Sequence, residues 1–370
     1  MIPYTPLEIA KLSAAAQKAL GPGPGRMMAS RGMMPLPPAD QLAVLYQLSI
    51  DADAGLAEAA KKTAAGLPEK LLSGSLVDPQ LDGRVLDFFA MMHAEKPSIF
   101  DAIVQNAAVF DQTVASLAGR IDSRSVDMIA TNEQRMLRHP EIIAAMYMNR
   151  RARMSTIDRV VELAVRNNVR VPGIAAWDEV ARALTGVAPA GPADDAAFAA
   201  AAAATSRDDS KFTQGDAEQV LPDEELDRLP HDDELDQASI RNLSVPSKIR
   251  LAQLGNAFAR AELIRDPMKI VAIAAIKSPG VTEIEAARYA GNQVLPEDVI
   301  RYIASKREWT RLYGIKMSLC RNPKAPISET ARFLPFLREK DLQLLAKSKG
   351  VPSGLVAQCR KLMMQRGGKK

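Results

Sequence analysis

The chain has 370 residues, 47% of them hydrophobic and 25% charged, which suits a soluble chain of about two to three domains rather than a fibrous or membrane-embedded one. No stretch reaches the roughly 18 to 20 uninterrupted apolar residues a bilayer span requires, and the opening MIPYTPLEIAKL lacks the basic-then-apolar order of a secretory leader. The two cysteines, Cys320 and Cys359, exclude a disulfide framework, so a cytoplasmic protein with reduced thiols is expected.

Residues 1–38 are expected to hold a short helix followed by a tether. GPGPGRMMASRGMMPLPP, Gly21 to Pro38, is interrupted too often by Pro and Gly for a continuous helix. Its glycines follow no strand and precede no lysine, so it does not read as a phosphate loop. From 39 to 186 the periodicity is helical; Leu42, Leu45, Tyr46 and Ser49 recur at i, i+3, i+4 spacing. Residues 187–236 carry 14 acidic against 3 basic side chains amid Ala, Pro and Gly. So few large apolar residues cannot offset the entropy of ordering, and a disordered acidic linker is expected. Within it Ala196–Ala204 has helical propensity but no evident amphipathic face. Residues 237–370 return to helical periodicity and carry 25 basic against 10 acidic side chains, whereas residues 1–186 balance at 20 each. The small net charge of +4 is therefore a cancellation between an acidic segment and a basic one.

A short cassette recurs, in which Asn or Ser is followed four residues later by Pro: Asn168–Pro172, Asn292–Pro296, Asn322–Pro326 and Ser348–Pro352. Looser copies lie at Asn149–Arg153 and Ser278–Thr282. Asn tolerates the left-handed conformation that ends a helix, and Pro suits the start of the next. Each cassette thus predicts a helix stop, a tight turn and a helix start, with Asn322 left-handed. The intervals leave room for two short helices, and such pairs bury their apolar faces only by stacking.

LYQLSIDADAGLAEAAKKTAAGLP, Leu45 to Pro68, resembles a HEAT-type repeat, with Asp51 and Asp53 at the turn and Leu56, Ala60 and Ala64 on the second helix. MSLCRNPKAPISETARFLPFL resembles the short degenerate repeats of uncharacterised bacterial HEAT-like proteins. The resemblance covers residues 40–180 and 245–365, with irregular spacing and short helices for that family. It implies an all-α fold, two α-solenoid domains of short helix pairs joined by the acidic linker, and a habit of binding macromolecules. It implies no catalytic residues.

A search for chemistry is consistent with that. His93, His139 and His231 have no Cys or His at metal-ligand spacing, so neither a metal nor a cofactor is expected. All three histidines precede residue 232, away from both cysteines, which leaves no evident nucleophile and base. Glu283 and Glu285 read as acids at a helix start. Trp177–Asp178 and Trp309 supply residue types used by HEAT-like DNA glycosylases, without a matching motif, and read as core and cap positions. Candidate macromolecule-binding residues are Lys306, Arg307, Trp309, Arg311, Tyr313, Lys316, Arg321, Lys324, Arg338, Lys340, Lys347 and Lys349 in the basic domain. Trp309 and Tyr313 are expected on one helix face. Arg150, Arg151 and Arg153 belong to a second basic stripe, from Arg135 to Arg170, with few acids inside it. The expected role is a non-enzymatic scaffold for protein partners, with nucleic-acid binding by the basic domain, screened by the linker, as the alternative.

Overall fold

Short helices rich in alanine and poor in aromatics approach one another closely, and helix is the only regular secondary structure among the described residues. The computed structural model describes residues 4–93, 95–185, 190–205, 213–221 and 239–367. They form two compact units, 1–173 and 174–370.

In the first unit the order is α1 (Ala14–Leu20), α2 (Gly25–Ser30), α3 (Pro38–Ser49), α4 (Ala54–Ala65), α5 (Glu69–Ser75), α6 (Gly83–His93), α7 (Pro97–Gln105), α8 (Asp111–Ala118), α9 (Ser123–Ile129), α10 (Glu133–Arg138), α11 (Glu141–Tyr147) and α12 (Met154–Arg166). Packing is local in chain order: α3 meets α4, α5 and α6, α6 meets α8, α7 meets α9, and α10 meets α12. Tyr46, Phe88 and Phe89 pack edge to face in the core, and the Tyr46 hydroxyl donates to Thr5 O at 2.8 Å.

The second unit holds α13 (Trp177–Leu184), α14 (Pro192–Ala204), α15 (Val245–Leu254), α16 (Ala257–Leu263), α17 (Lys269–Ile276), α18 (Glu283–Gly291), α19 (Glu297–Ser305), α20 (Arg307–Thr310), α21 (Tyr313–Arg321), α22 (Ile327–Phe333), α23 (Glu339–Lys347) and α24 (Ser353–Gly367). Again α15 packs on α17, α17 on α19, α18 on α21, α19 on α22 and α22 on α24. Helix α13, expected to close the N-terminal domain, packs instead on α15 and α17, where Lys277 Nζ donates to buried Glu179 at 3.0 Å.

Two stretches read as tether and linker contain packed structure. In the N-terminal one, Ala29 and Ser30 of α2 are buried, and the Thr63 hydroxyl donates to Ser30 O at 2.7 Å. In the acidic one, Phe198 and Ala201 of α14 are buried against α15, and the fully buried Arg250 guanidinium lies 4.6 Å from the Phe198 ring centre. One aromatic ring among alanines supplies the face that composition concealed. Residues 206–212 and 222–238, the rest of the expected linker's core, lie outside the described residues.

The cassettes mark real helix boundaries. Asn292 and Asn322 end α18 and α21, Ser348 ends α23, and Pro296 and Pro326 precede α19 and α22. The expected left-handed geometry holds at Asn168, with φ of 54°, but not at Asn292, Asn322 or Ser348, which are extended. Their asparagines serve a different purpose. Asn322 Nδ2 donates to Ala290 O and Asn292 O at 2.9 and 3.1 Å, while its Oδ1 accepts from Lys324 N at 3.0 Å. Asn149 makes the same clasp on Ala118 O and Ile121 O, with Arg151 N as donor. Asn106 makes it on Leu76 O and Asp78 O, with Ala108 N as donor. In every case the accepting turn lies 28 to 32 residues earlier.

These clasps distinguish two consequences of one substitution. A left-handed Asn322 would tolerate glycine, whereas a clasping one leaves two buried carbonyls without donors. Asn322→Gly is therefore expected to destabilise the second unit by about 2 to 3 kcal/mol. Urea unfolding of the full chain followed by far-ultraviolet circular dichroism checks this, and an unchanged midpoint refutes the clasp.

Candidate binding surface

Helix α20 is a single turn, and Leu312, extended at φ -74° and ψ 135°, separates it from α21. Trp309 and Tyr313 therefore stand on different helices, against the expectation of a shared face. Trp309 meets Tyr302 edge-on at 6.1 Å, and Lys306 Nζ lies 5.1 Å from the Tyr302 ring centre. Tyr313 is the hub of another cluster. Its hydroxyl donates to Asp341 and accepts from Arg338 N at 3.0 Å, and the Arg338 guanidinium stacks 4.6 Å above its ring. Burial, with donation to Asp341 second, raises the Tyr313 pKa. Lys316 Nζ donates to Arg311 O at 2.9 Å and lies 5.4 Å from the ring centre of Phe336, which is 68% exposed.

Other expected cations are tied to the preceding turn of the chain. Lys324 Nζ donates to Val294 O and Leu295 O at 3.1 and 2.8 Å, and Arg311 pairs with Glu283 at 3.0 Å. Arg307, Lys340, Lys347 and Lys349 are exposed, and Arg321 is half-buried. The structure thus brings Arg338 onto Tyr313, sets Lys316 against Arg311 O and Phe336, groups Lys306 and Trp309 about Tyr302, and places the remaining expected cations elsewhere on the unit.

The N-terminal stripe is less basic than its sequence suggests, because the partners of Arg135, Arg138 and Arg153 lie outside it. Arg138 grips Asp111 through two bonds of 2.6 and 2.7 Å, and Arg153 pairs with Asp127 at 3.0 Å. Buried Arg135 donates to Val104 O at 3.3 Å, and its Nε stands 3.2 Å from Asp111 Oδ1, an ion-pair distance without hydrogen-bond alignment. The Arg138 hydrogen bonds, aided by both positive charges, hold the Asp111 carboxyl below the usual range, and burial lowers the Arg135 pKa. Arg150 and Arg151 are exposed, and Arg151 lines a cleft of about 340 Å³ with Met91, Met92, Glu95 and Arg120. A second cleft of about 440 Å³ is lined by Gln105, Asn132, Gln134, Arg135 and Arg138.

The titratable candidates occupy structural positions. His93 contacts Ala64 O at 3.1 Å in the core, His139 caps α10 and faces Glu141, and His231 lies outside the described residues. Trp177 is buried at the start of α13. Glu285 closes a capping box with Thr282 and takes a bidentate bond of 2.9 Å from buried Arg260. Both cysteines are buried, and desolvation pushes the Cys320 thiol up to about 12. Among the described residues, no group of three or more His, Cys, Asp or Glu side chains could hold a metal, and no helix is long and apolar enough to cross a membrane.

Asn106, Asp111, Asp127 and Phe198 carry much of this organisation and escaped sequence reasoning. A search for polar side-chain pairs about 26 to 29 residues apart would have found Asp111 and Asp127, whereas Asn106 bonds only backbone groups. No family model, curated protein sequence or solved structure matches the chain.

Asp111 and Arg138 make an asymmetric test of the ion pairs. Asp111→Ala strands the buried Arg135 guanidinium and is expected to cost about 2 to 4 kcal/mol. Arg138→Ala removes an exposed side chain and should barely move the unfolding midpoint. Equal effects in thermal melts would contradict the assignment of Arg135 as the dependent charge.

Proposed function

We propose that the chain is a non-enzymatic scaffold or adaptor of stacked, HEAT-like helical repeats that binds protein partners in the cytoplasm. The observation that supports this reading is one asparagine clasp, present at Asn106 and Asn149 in the first unit and at Asn322 in the second, that reaches back 28 to 32 residues each time. A repeated inter-turn bond of this kind suits an α-solenoid, in which each helix pair packs on its neighbours and an extended binding surface results. Affinity purification of the full chain with and without nuclease is the test. Partners that persist after nuclease support the scaffold, whereas loss of every partner on nuclease treatment contradicts it.

One observation favours polyanion binding as a second reading: residues 237–370 hold 25 basic against 10 acidic side chains, several of them exposed. A shift of duplex or single-stranded nucleic acid by the full chain at low salt is expected, weakening as salt rises because bound counterions are released. Removal of the acidic residues 222–236 should strengthen it about ten-fold if they screen the basic unit in cis. No shift at low salt, with or without that deletion, eliminates this reading.

A further inference from the structure

The segment 213–221, TQGDAEQVL, lies within the stretch expected to be a linker, yet it is seated on the second unit. Arg288 Nη2, on α18, donates to Gln214 O at 3.0 Å. Gly215 adopts φ of 140°, and a β-carbon there would lie 2.7 Å from Ile284 Cδ1. Asp216 then organises a tight turn: its Oδ1 accepts from Glu218 N at 2.9 Å, and its backbone oxygen accepts from Gln219 N at 3.1 Å. The turn buries Ala217 and aims Glu218 at α21, where Glu218 Oε2 accepts from Tyr313 N at 2.9 Å. Leu312, the N-cap residue there, supplies no side-chain bond of its own. Glu218 thus provides both the missing acceptor and a negative charge at the positive end of the helix.

The receiving surface is shaped for a backbone. Gly314, second in α21, is a poor helix former. A β-carbon on it would meet Gln219 O and stand 2.5 Å from Ala217 O. The absent side chain lets the segment's carbonyls rest on the helix. Arg338 stacks on the Tyr313 ring and Arg288 donates to Gln214 O, so two arginines border the segment.

We propose that this groove, formed by Ile284, Arg288, Tyr313 and Gly314, is a docking site for an acidic, turn-forming peptide of a partner protein. The chain's own Gly215–Leu221 holds the site until a partner peptide displaces it. The partner's peptide presents a glycine, a turn-forming aspartate, a small residue and a glutamate in the order Gly-Asp-Ala-Glu. The proposal rests on the adaptor reading and specifies one of its surfaces. Exchange is physically reasonable, because tethering gives the internal segment an effective concentration of roughly millimolar. Its contacts, two hydrogen bonds to the helices and the buried side chains of Ala217 and Leu221, suffice at that concentration without a high intrinsic affinity. A partner with a few additional contacts outcompetes it.

The test uses the full chain and a fluorescent peptide of sequence TQGDAEQVL, read by polarisation. Glu218→Ala in the chain is expected to release the internal segment and raise peptide affinity about ten-fold over the wild type. The same release should speed hydrogen exchange at the Tyr313 amide. Gly314→Ala added to Glu218→Ala should abolish peptide binding while leaving helix content intact. Arg288→Gln, a second variant, should weaken binding without filling the groove. Unchanged peptide affinity on release, unchanged exchange at Tyr313, or full binding by the Gly314→Ala chain overturns the proposal. Equal binding of a scrambled peptide of the same composition also overturns it, in favour of a surface that takes any anion. Partner capture that survives nuclease while the peptide fails would leave the adaptor reading standing and this groove rejected.

Discussion

One short amide side chain ties turns of this protein that lie 28 to 32 residues apart. At Asn106, Asn149 and Asn322 the carboxamide closes its own turn through Oδ1 and grips two carbonyls of an earlier turn through Nδ2. Two donors and an acceptor are needed within one rigid, short group. Aspartate lacks the donors, serine has one, and glutamine places its amide a methylene further out. Each accepting carbonyl sits near a helix end, where intrahelical donors run out, so the clasp satisfies groups that would otherwise be buried without partners. Once successive turns are tied at about 30 residues, the side chains near them inherit the same offset. Arg138 finds Asp111 at 27 residues and Arg311 finds Glu283 at 28.

That inheritance explains what could be read from the residues and what could not. Helix boundaries at Asn292, Asn322 and Ser348 were legible because a proline four residues on announces the next helix. Asn106 precedes Phe110 rather than proline, and the same clasp passed unnoticed. The conformation was misjudged for a physical reason. Helix-ending asparagine is associated with left-handed backbone, which here occurs at Asn168, whereas a clasping asparagine keeps an extended backbone so that its side chain can reach the preceding turn. The helical class followed from periodicity; the pairing between turns required knowing which residues become neighbours.

Charge was legible in the same partial way. Counting acids within residues 135–170 made the arginines look unopposed, but Asp111 and Asp127, which oppose Arg138 and Arg153, come before that window. In the second unit, Glu283 and the carbonyls of Val294 and Leu295 take up Arg311 and Lys324 in the same fashion. A cation engaged with the preceding turn is held in place rather than neutralised from every side. Arg311 is 69% exposed despite its ion pair, so it still presents positive charge to solvent. Organisation of the fold and presentation of positive charge are two uses of the same side chains.

The acidic stretch shows why sparse apolar content is an incomplete guide to order. A segment without large side chains cannot form a core of its own, but it can complete one that another part of the chain has prepared. Phe198 does so with one ring over the buried Arg250 guanidinium, and alanine around it permits the close approach. Gly215–Leu221 does so with no aromatic at all, because the accommodation is on the other side: Gly314 removes the side chain that would have blocked the backbone, and Tyr313 N offers an open donor to Glu218. Docking of this sort depends on a glycine, a carboxylate and carbonyl geometry, features that a hydrophobicity count passes over. It also buries little apolar area, so it gains little from the hydrophobic effect and relies on tethering to remain in place. A surface that binds chiefly backbone and one carboxylate discriminates by shape and turn geometry rather than by greasy area.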